Sequence, residues 1–264
     1  MRRLLSHGRR AGDLLLKSDL PNQSTLTFAR SVPSRRRPSR AVENLLPGLK
    51  GGRLTIHQQK PPKARRRKRL VDLALAATLI VLLVPVIALI ALAVKLDGGP
   101  VLYAHRRVGP DGRLFCCWKF RSMVSNADEL LPRLLAHDNN TRQEWERNFK
   151  LRSDPRVTPV GRFLRSYSLD ELPQLINVVT GTMSLVGPRP IVEAEIERYG
   201  AYFEAYCSCR PGITGLWQVH GRSDVDYLRR VELDRRYAHR WSLGLDLTIL
   251  LKTVIVITRR HGAY

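Results

Sequence analysis

One uncharged apolar stretch, Leu73–Val94, constrains the fold of this chain more than any other feature. Its 22 residues include only Thr78 and Pro85 outside the aliphatic set, and a run of Lys and Arg over residues 63–69 precedes it. As an α-helix the stretch would measure about 33 Å, enough to cross the hydrocarbon core of a bilayer. So uniform an apolar surface favours burial in lipid over burial in a protein core.

The path of this helix through the membrane depends on Pro85 and on the charges at both flanks. Proline removes a helix hydrogen bond and can kink or break a helix near its middle. Basic residues precede the stretch and others, such as Lys95 and Arg106, follow it, so the positive-inside rule places both flanks on the cytoplasmic side. A re-entrant helix broken at Pro85 satisfies that rule, but its break would leave backbone carbonyls that lipid cannot satisfy. The sequence alone leaves the re-entrant and the spanning path open.

The segment before the apolar stretch differs from the rest of the chain in charge. Residues 1–69 hold 19 Lys and Arg against 3 Asp and Glu, a net charge of +16, whereas the whole chain carries +22. High charge with little apolar content predicts a disordered N-terminal arm over residues 1–62. Such a block favours a polyanion, either a nucleic acid or an anionic membrane surface. Its Arg- and Ser-rich composition also resembles an organellar transit peptide, whereas the lack of an early apolar run argues against a secretory signal.

Short strand patterns and helix patterns follow the apolar stretch. Residues 101–103 and 114–123 predict the two strands of a β-hairpin, because they flank glycine-containing turns and the second alternates aromatic with basic residues. The spacing of apolar residues predicts one or two helices over 125–150, a helix ending near Cys207 and another over 224–238.

A second apolar run, residues 243–257, contains Asp246 and Lys252 and is too short and too charged to span a membrane. It favours an amphipathic helix that lies on the membrane or packs on the core. The predicted fold class is therefore α+β, mainly helical, with a short β-hairpin and membrane-associated helices. The predicted parts are a basic arm (1–62), a membrane helix (63–97) and a catalytic domain (98–264).

Two adjacent carboxylates, Asp170 and Glu171, stand out in a chain rich in Arg and Lys. Ser168 with Glu171 three residues later matches a capping box and predicts a helix that starts here. Pro173 would lie in or just past the first turn, where its missing N–H does little harm. A carboxylate in the first turn faces the positive end of the helix dipole and tends to stay ionised. This suits a nucleophile or a metal ligand; the alternative is a helix cap without chemistry.

Four cations along the chain suit phosphate binding: Lys119, Arg121, Arg165 and Arg189. Lys119 and Arg121 are two positions apart in a predicted strand and would share one face. Arg189 lies between Pro188 and Pro190, which restrict the backbone on both sides and favour a fixed guanidinium. Each cation alone is compatible with a solvated surface charge. Together with the carboxylate pair and the glycine-rich turns, they indicate a diphosphate–Mg²⁺ site.

Several longer motifs then occur in one order: Lys68-Arg69 with Asp72, Gly99-Pro100, Arg107-Val108-Gly109, Lys119 to Met123, Asp154 to Thr158, Leu169 to Leu175, Gly187 to Pro190, and Arg210 to Gln218. In order and spacing they resemble the bacterial sugar transferases, which are monotopic polyprenyl-phosphate phosphoglycosyl transferases. The resemblance covers residues 65–264 and is greatest to members that initiate exopolysaccharide synthesis with galactosyl or glucosyl phosphate. The N-terminal arm has no counterpart in this pattern, and the additional membrane spans of the longer members are not found.

The resemblance implies a reaction and roles for these residues. The family transfers hexose-1-phosphate from a UDP-sugar to undecaprenyl phosphate and releases UMP. Asp170 would attack the β-phosphate and carry the phospho-sugar, and Glu171 would assist it, both carboxylates holding Mg²⁺. The residues expected to bind phosphate or substrate are Lys119, Arg121, Arg165, Arg189, Gln218 and Arg222. Because the acceptor is already an anion, no strong general base is required.

The resemblance also implies a setting. It favours the re-entrant path, with the catalytic domain on the cytoplasmic face of the inner membrane and with UDP-hexose, undecaprenyl phosphate and lipid as partners. The identity of the hexose and the oligomeric state stay open, and a homodimer is one of the possibilities.

The alternative function is that of a non-catalytic, membrane-anchored basic protein that binds nucleic acid or anionic lipid. Phe28 is the only aromatic residue among residues 1–69, so stacking on bases has little support. The lack of a Walker-type phosphate loop argues against a kinase or phosphatase acting on diphosphates.

Overall fold

The computed structural model describes residues 62–148, 151–221 and 225–258. The predicted arm, apart from Pro62, and the candidate Arg222 lie outside the described residues. Within the described part the chain is mainly helical and contains a short antiparallel hairpin, which confirms the predicted class at that level.

Helix α1 (Pro62–Leu96) contains the whole apolar stretch. Among the described residues it is the one helix long and apolar enough to cross a membrane. The helix continues through Pro85, so the predicted break does not appear as a change of secondary structure. Its middle is uncovered by protein: Val81 is 71% exposed and Leu89 is 68% exposed.

Both ends of α1 are held by the domain that follows it. Near the start, the buried Asp72 accepts a hydrogen bond from the Ser184 hydroxyl at 2.8 Å, and Lys68 pairs with Asp246 at 2.7 Å. In the last turn, the Val94 carbonyl accepts a hydrogen bond of 2.8 Å from buried Arg121. The domain therefore contacts α1 at its two ends and leaves its centre exposed.

The hairpin supplies one face of the candidate site. Its strands are β1 (Leu102–Val108) and β2 (Leu114–Phe120), paired antiparallel. Tyr103 lies directly opposite Lys119. Because side chains alternate along a strand, His105 and Arg107 project from the same face as Tyr103 and Lys119.

Three helices follow the hairpin: α2 (Ala127–His137), α3 (Asn139–Asn148) and α4 (Pro159–Ser166). The first two confirm the helices predicted over 125–150. Helix α4 begins after Thr158, whose hydroxyl accepts a hydrogen bond from the Gly161 N–H at 2.9 Å. A Cβ on Gly161 would lie 1.9 Å from the Ser122 carbonyl oxygen, so only glycine allows this close approach. The contact brings the first turn of α4 next to the residues that follow β2.

The next elements are α5 (Gln174–Thr180), β3 (Ser184–Val186), α6 (Ile196–Tyr199), α7 (Phe203–Cys207) and β4 (Gly212–Thr214), with β3 and β4 paired in parallel. The single helix predicted to end near Cys207 is instead a series of short helical turns. Gly200, with φ +47° and ψ −129°, interrupts it because those angles are not helical.

The last two helices are α8 (Tyr227–Arg240) and α9 (Leu243–Thr258). Tyr237 of α8 and Ile249 of α9 pack with Leu185 in the main core. On the outer side of α9, Leu247 and Leu251 are about three-fifths exposed. Helix α9 therefore packs on the core with one face and presents an apolar face outward.

Candidate active site

The acidic pair lies on a 3₁₀ turn rather than at the start of an α-helix. The turn is Leu169–Glu171, and α5 begins only at Gln174 after Pro173. Ser168 has φ +56°, in the left-handed region, and its side chain makes no cap hydrogen bond. The predicted capping box is therefore wrong, because Glu171 is directed to a different partner.

That partner is Lys119 of β2, the cation closest to both carboxylates. Its ammonium Nζ lies 2.6 Å from Glu171 Oε1 and 3.9 Å from Asp170 Oδ2. Asp170 is only 7% exposed, whereas the Glu171 side chain keeps 32% of its surface. Three residues from two elements thus form one charged group, as the sequence predicted for Lys119 and the acidic pair.

The two carboxylates differ in how easily they ionise. Burial acts to raise the pKa of Glu171, but the Lys119 ammonium, Arg189 and Arg107 together hold it below its usual value. Burial raises the pKa of Asp170 against the effect of Lys119, and the negative charge of Glu171 adds to the rise. The predicted helix start at the acidic pair is absent, since α5 begins four residues after Asp170. The charges that favour an ionised Asp170 are instead those of Lys119 and Arg165.

Arg165 of α4 lies near the pair, as predicted. Its Nε donates to the Ser122 hydroxyl at 2.9 Å. Burial lowers the pKa of Arg165, and the charges of Asp170 and Asp154 oppose that change. The guanidinium therefore contributes positive charge next to Asp170 while Ser122 fixes its orientation.

Arg121 has a different environment from the other predicted cations. It follows the last residue of β2, Phe120, and does not continue the strand face that carries Lys119. The buried guanidinium donates to the carbonyls of Pro100 at 2.9 Å, Val94 at 2.8 Å and Met123 at 3.3 Å. These three hydrogen bonds tie the end of α1 to the hairpin, and the predicted role in phosphate binding stays a prediction.

Arg189 belongs to a group of cations, and its charge lowers the pKa of Glu171. Its backbone N–H donates to Asp234 Oδ2 at 3.4 Å, and its guanidinium lies 5.3 Å from the centre of the Trp217 ring. Arg230 of α8 lies 4.5 Å from the same ring. The prolines around Arg189 thus hold a cation between the acidic pair and α8.

Sequence reasoning missed Arg107, Arg230 and His105 as site residues. Arg107 donates to the Pro190 carbonyl at 3.2 Å and contacts His105 Nδ1 at 2.9 Å. Because arginine only donates, this Nδ1 must accept, so His105 is neutral. Burial, with Arg107 and other cations nearby, lowers the pKa of His105 to about 3. Strand alternation could have identified His105 and Arg107, because it places them on the same face of the hairpin as Lys119. No sequence pattern distinguishes Arg230 from the other arginines of α8.

The remaining sequence candidates are less informative. Gln218 begins a 3₁₀ turn, and its side-chain nitrogen donates to the Ile213 carbonyl at 3.4 Å. Arg222 lies outside the described residues. Among the described residues, no group of three or more His, Cys, Asp or Glu side chains could hold a metal ion. Asp170 and Glu171 therefore supply two carboxylates, a donor set that suits Mg²⁺ only where the substrate phosphates provide further oxygen ligands.

The sequence of this chain matches a described protein family and several curated proteins. Residues 63–260 match the family described as "Bacterial sugar transferase". The "Undecaprenyl-phosphate galactose phosphotransferase" of Salmonella typhimurium is 52% identical over 201 residues, which cover 76% of this chain and 42% of that protein. The "Exopolysaccharide production protein ExoY" of Sinorhizobium fredii is 46% identical over 198 residues, 75% of this chain and 88% of that protein.

A third relative, the "UDP-glucose:undecaprenyl-phosphate glucose-1-phosphate transferase" of Escherichia coli, is 43% identical over 209 residues, 76% of this chain and 42% of that protein. The chain thus spans less than half the length of this relative and of the Salmonella protein, and most of the length of ExoY. The matched region includes the acidic pair, all the described cations around it and both ends of α1. The chain belongs to the bacterial sugar transferase family.

Proposed function

We propose that this protein transfers hexose-1-phosphate from a UDP-hexose to undecaprenyl phosphate and releases UMP. The observation that carries the proposal is the buried Asp170 with the half-buried Glu171 beside it, both held against Lys119, in a chain whose relatives bear the names of such transferases. The names of those relatives include both galactose and glucose, and the product would be the lipid-linked sugar that begins an exopolysaccharide repeat unit.

In the first step, an Asp170 oxygen attacks the β-phosphorus of the UDP-hexose. The bond from that phosphorus to the bridging oxygen breaks, and its electron pair leaves with UMP. Lys119 and Arg165 oppose the effect of burial and favour the ionised carboxylate that this attack needs. Positioning and neutralisation of charge dominate the catalysis of phosphoryl transfer, and these cations supply both.

In the second step, a phosphate oxygen of undecaprenyl phosphate attacks the phosphorus on Asp170. The acyl phosphate bond breaks, Asp170 is regenerated as a carboxylate, and the lipid carries a diphosphate-linked hexose. The nucleophile is already an anion, so no side chain has to remove a proton. The neutral His105 is consistent with this, because a base is not required at that position.

We also propose that Mg²⁺ takes part, held by Asp170 and Glu171 together with substrate phosphates. The ion would neutralise negative charge on the diphosphate. Glu171 is paired with Lys119 in the structure, so metal binding would require Lys119 to share or release that carboxylate. Lys119 would then be free to contact a phosphate oxygen.

Helix α1 is proposed to enter and leave the membrane on the same side. Lys68 and Val94 are 26 residues apart, which corresponds to about 39 Å in a straight helix and exceeds the roughly 30 Å hydrocarbon core. Both nonetheless bond to the same domain, to Asp246 and Arg121 respectively. A straight helix across the bilayer would carry one of these contacts to the far side.

The surface around α1 fits a membrane interface on the cytoplasmic side. Exposed apolar residues occur on four other helices: Phe163 on α4, Ile176 and Val179 on α5, Leu228 on α8, and Leu247, Leu251, Val254 and Ile255 on α9. A groove lined by basic residues of α8, among them Arg236 and Arg240, lies next to α9. Apolar side chains beside a basic groove suit lipid with anionic headgroups.

The nucleophile is tested by following label from a UDP-hexose that carries ³²P in its β-phosphate. We expect the wild-type protein to retain label covalently, and Asp170→Asn to lose labelling and transfer by at least about a thousandfold, because an amide is a poor nucleophile. Asp128→Asn, at an exposed position on α2, is the matched control. Normal labelling of Asp170→Asn would refute the assignment.

The membrane path is tested with Leu70→Cys and Leu96→Cys, which flank the apolar stretch at exposed positions. A membrane-impermeant maleimide added to intact cells should reach neither cysteine, and both should react once the membrane is opened. The parent protein measures the background from its four native cysteines. Reaction of one position from outside would show that α1 spans the membrane.

A further inference from the structure

Four side chains next to the acidic pair form a cluster that the reaction scheme above leaves largely unused. We call Arg189, Trp217, Tyr227 and Arg230 the arginine–tryptophan box. The Arg189 and Arg230 guanidinium carbons lie 5.3 Å and 4.5 Å from the Trp217 ring centre, and that of Arg230 lies 5.7 Å from the Tyr227 ring. Trp217 is buried, at 5% exposed, and the other three residues of the box are half-buried.

The box contains buried polar atoms that the described residues do not satisfy. They are the Nε atoms of both arginines, Nε1 of Trp217 and the hydroxyl of Tyr227. Three of the four carry N–H groups that can only donate, and the fourth can donate as well. Two acceptors nearby, Gln218 Oε1 and Asp234 Oδ1, are also unpartnered among the described residues. Buried donors without partners are costly, so this surplus points to an acceptor-rich ligand.

The charge of the box points the same way. Burial lowers the pKa values of Arg230 and Arg107, and Arg189 lowers both further. Two carboxylates act on these cations: Glu195 lies 3.8 Å from Arg107, and the cations lower the pKa of Glu171. Burial, in contrast, raises the pKa of Asp234 to about 7. Three guanidinium groups and Lys119 outnumber these two carboxylates, and this excess of positive charge favours a ligand that brings negative charge of its own.

We propose that the arginine–tryptophan box binds the α-phosphate of the UDP-hexose, the phosphate that leaves as UMP, with Arg230 and the Tyr227 hydroxyl as its contacts remote from Asp170. This deepens the proposed function and rests on it. Arg189 acts on Glu171 on one side and shares the Trp217 ring with Arg230 on the other. A diphosphate could therefore extend from Asp170 across Arg189 to Arg230. When the bridging bond breaks, the electron pair stays on the UMP oxygen, and the box stabilises that charge.

The first test measures binding of UMP and of uridine to the full chain in lipid nanodiscs, without turnover. We expect Arg230→Ala to weaken UMP binding about tenfold or more and to leave uridine binding unchanged, because only UMP carries the phosphate. Arg229→Ala, at an exposed neighbour paired with Glu232, is the matched control. Unchanged UMP binding, or equal weakening of UMP and uridine, would overturn the proposal.

A second variant covers the case in which Arg230→Ala does not fold. Tyr227→Phe removes only the unpartnered hydroxyl and should weaken UMP binding about two- to fivefold while uridine binding stays constant. In addition, UMP should raise the Tm of the wild type by more than it raises the Tm of either variant. Equal Tm shifts in all three proteins would count against the box.

The third test separates the two half-reactions and the two sources of phosphate. Arg230→Ala should slow the loading of phospho-sugar from UDP-hexose about tenfold or more, and a preloaded variant should discharge to undecaprenyl phosphate at the wild-type rate. Slow discharge with normal loading would assign the box to the lipid phosphate and overturn the proposal. If the wild type never takes up label, the proposed transfer reaction is refuted. The UMP-binding measurements then still test whether the box binds a nucleotide phosphate.

Discussion

Two arginine sites in this protein, one buried and one half-buried, differ in what surrounds them. At the end of α1, Arg121 donates to three backbone carbonyls, and its guanidinium is occupied by the fold itself. In the arginine–tryptophan box, the Nε atoms of Arg189 and Arg230 have no acceptor among the described residues. An arginine whose N–H groups all donate to backbone carbonyls holds secondary-structure elements together. An arginine with N–H groups that lack an acceptor is suited to bind an anion.

The comparison also shows why sequence could not separate Arg121 from Arg189. Both flank apolar or proline-rich motifs, and both are expected from the family resemblance to bind phosphate. The difference arises because the last turn of α1 ends next to Arg121 and offers the Val94 carbonyl, which lacks a helical partner. The hydrogen bond from Arg121 to the Val94 carbonyl joins residues 27 positions apart, so no local sequence pattern predicts it.

The largest effect is expected from Arg121→Ala. It removes three charge-assisted hydrogen bonds and leaves buried carbonyls unsatisfied, so we expect a loss of about 3–5 kcal/mol in the free energy of unfolding. Unfolding in nanodiscs, followed by tryptophan fluorescence, measures it. UMP affinity of the folded fraction should stay at the wild-type value. If Arg121→Ala lowered UMP affinity without changing stability, Arg121 would be a substrate-binding residue. The proposed difference between the Arg121 site and the arginine–tryptophan box would then be wrong.

Arg189→Ala should have the opposite profile. We expect the rate of phospho-sugar loading to fall about 10²–10³-fold, the cost of removing one donor from a developing anion. The free energy of unfolding should change by less than about 1 kcal/mol, because alanine keeps the backbone N–H that donates to Asp234. Arg106→Ala, at an exposed position of β1, is the control. A large loss of stability in Arg189→Ala would show that Arg189, like Arg121, has a mainly structural role.

Local patterns predicted those parts of the molecule that depend on neighbours in the chain. The apolar stretch, the hairpin and the helices over 125–150 follow from periodicity and turn residues, and the structure contains all of them. The sequence also placed Lys119 and the acidic pair in one phosphate–Mg²⁺ site, but it did not predict the ion pair between Lys119 and Glu171. The capping box at Ser168 failed because a contact 52 positions away, from Lys119, competes for Glu171. Arg230 was missed because its role depends on which face of α8 meets Trp217, and composition does not reveal this.

Asp234 allows a smaller test of how far the box lacks negative charge. It is 1% exposed, accepts from the Tyr199 hydroxyl at 2.8 Å and from the Arg189 N–H, and lies near the Arg230 guanidinium. Burial raises its pKa to about 7, whereas in an unfolded chain this carboxyl would ionise near its ordinary pKa of 3.8. The folded protein therefore binds the extra proton between these values, and this contribution to stability is complete below about pH 4 and lost as pH rises to about 7.

We therefore expect the stability of the wild type, measured relative to Asp234→Asn, to fall by up to about 3 kcal/mol between pH 5 and pH 8. The asparagine keeps the shape of the side chain and an oxygen for the Tyr199 hydroxyl, but it does not titrate in this range. A flat difference would mean that Arg189 and Arg230 already hold Asp234 ionised. The carboxylate would then neutralise the box from within, and the contrast with the Arg121 site would be smaller than the unsatisfied donors indicate.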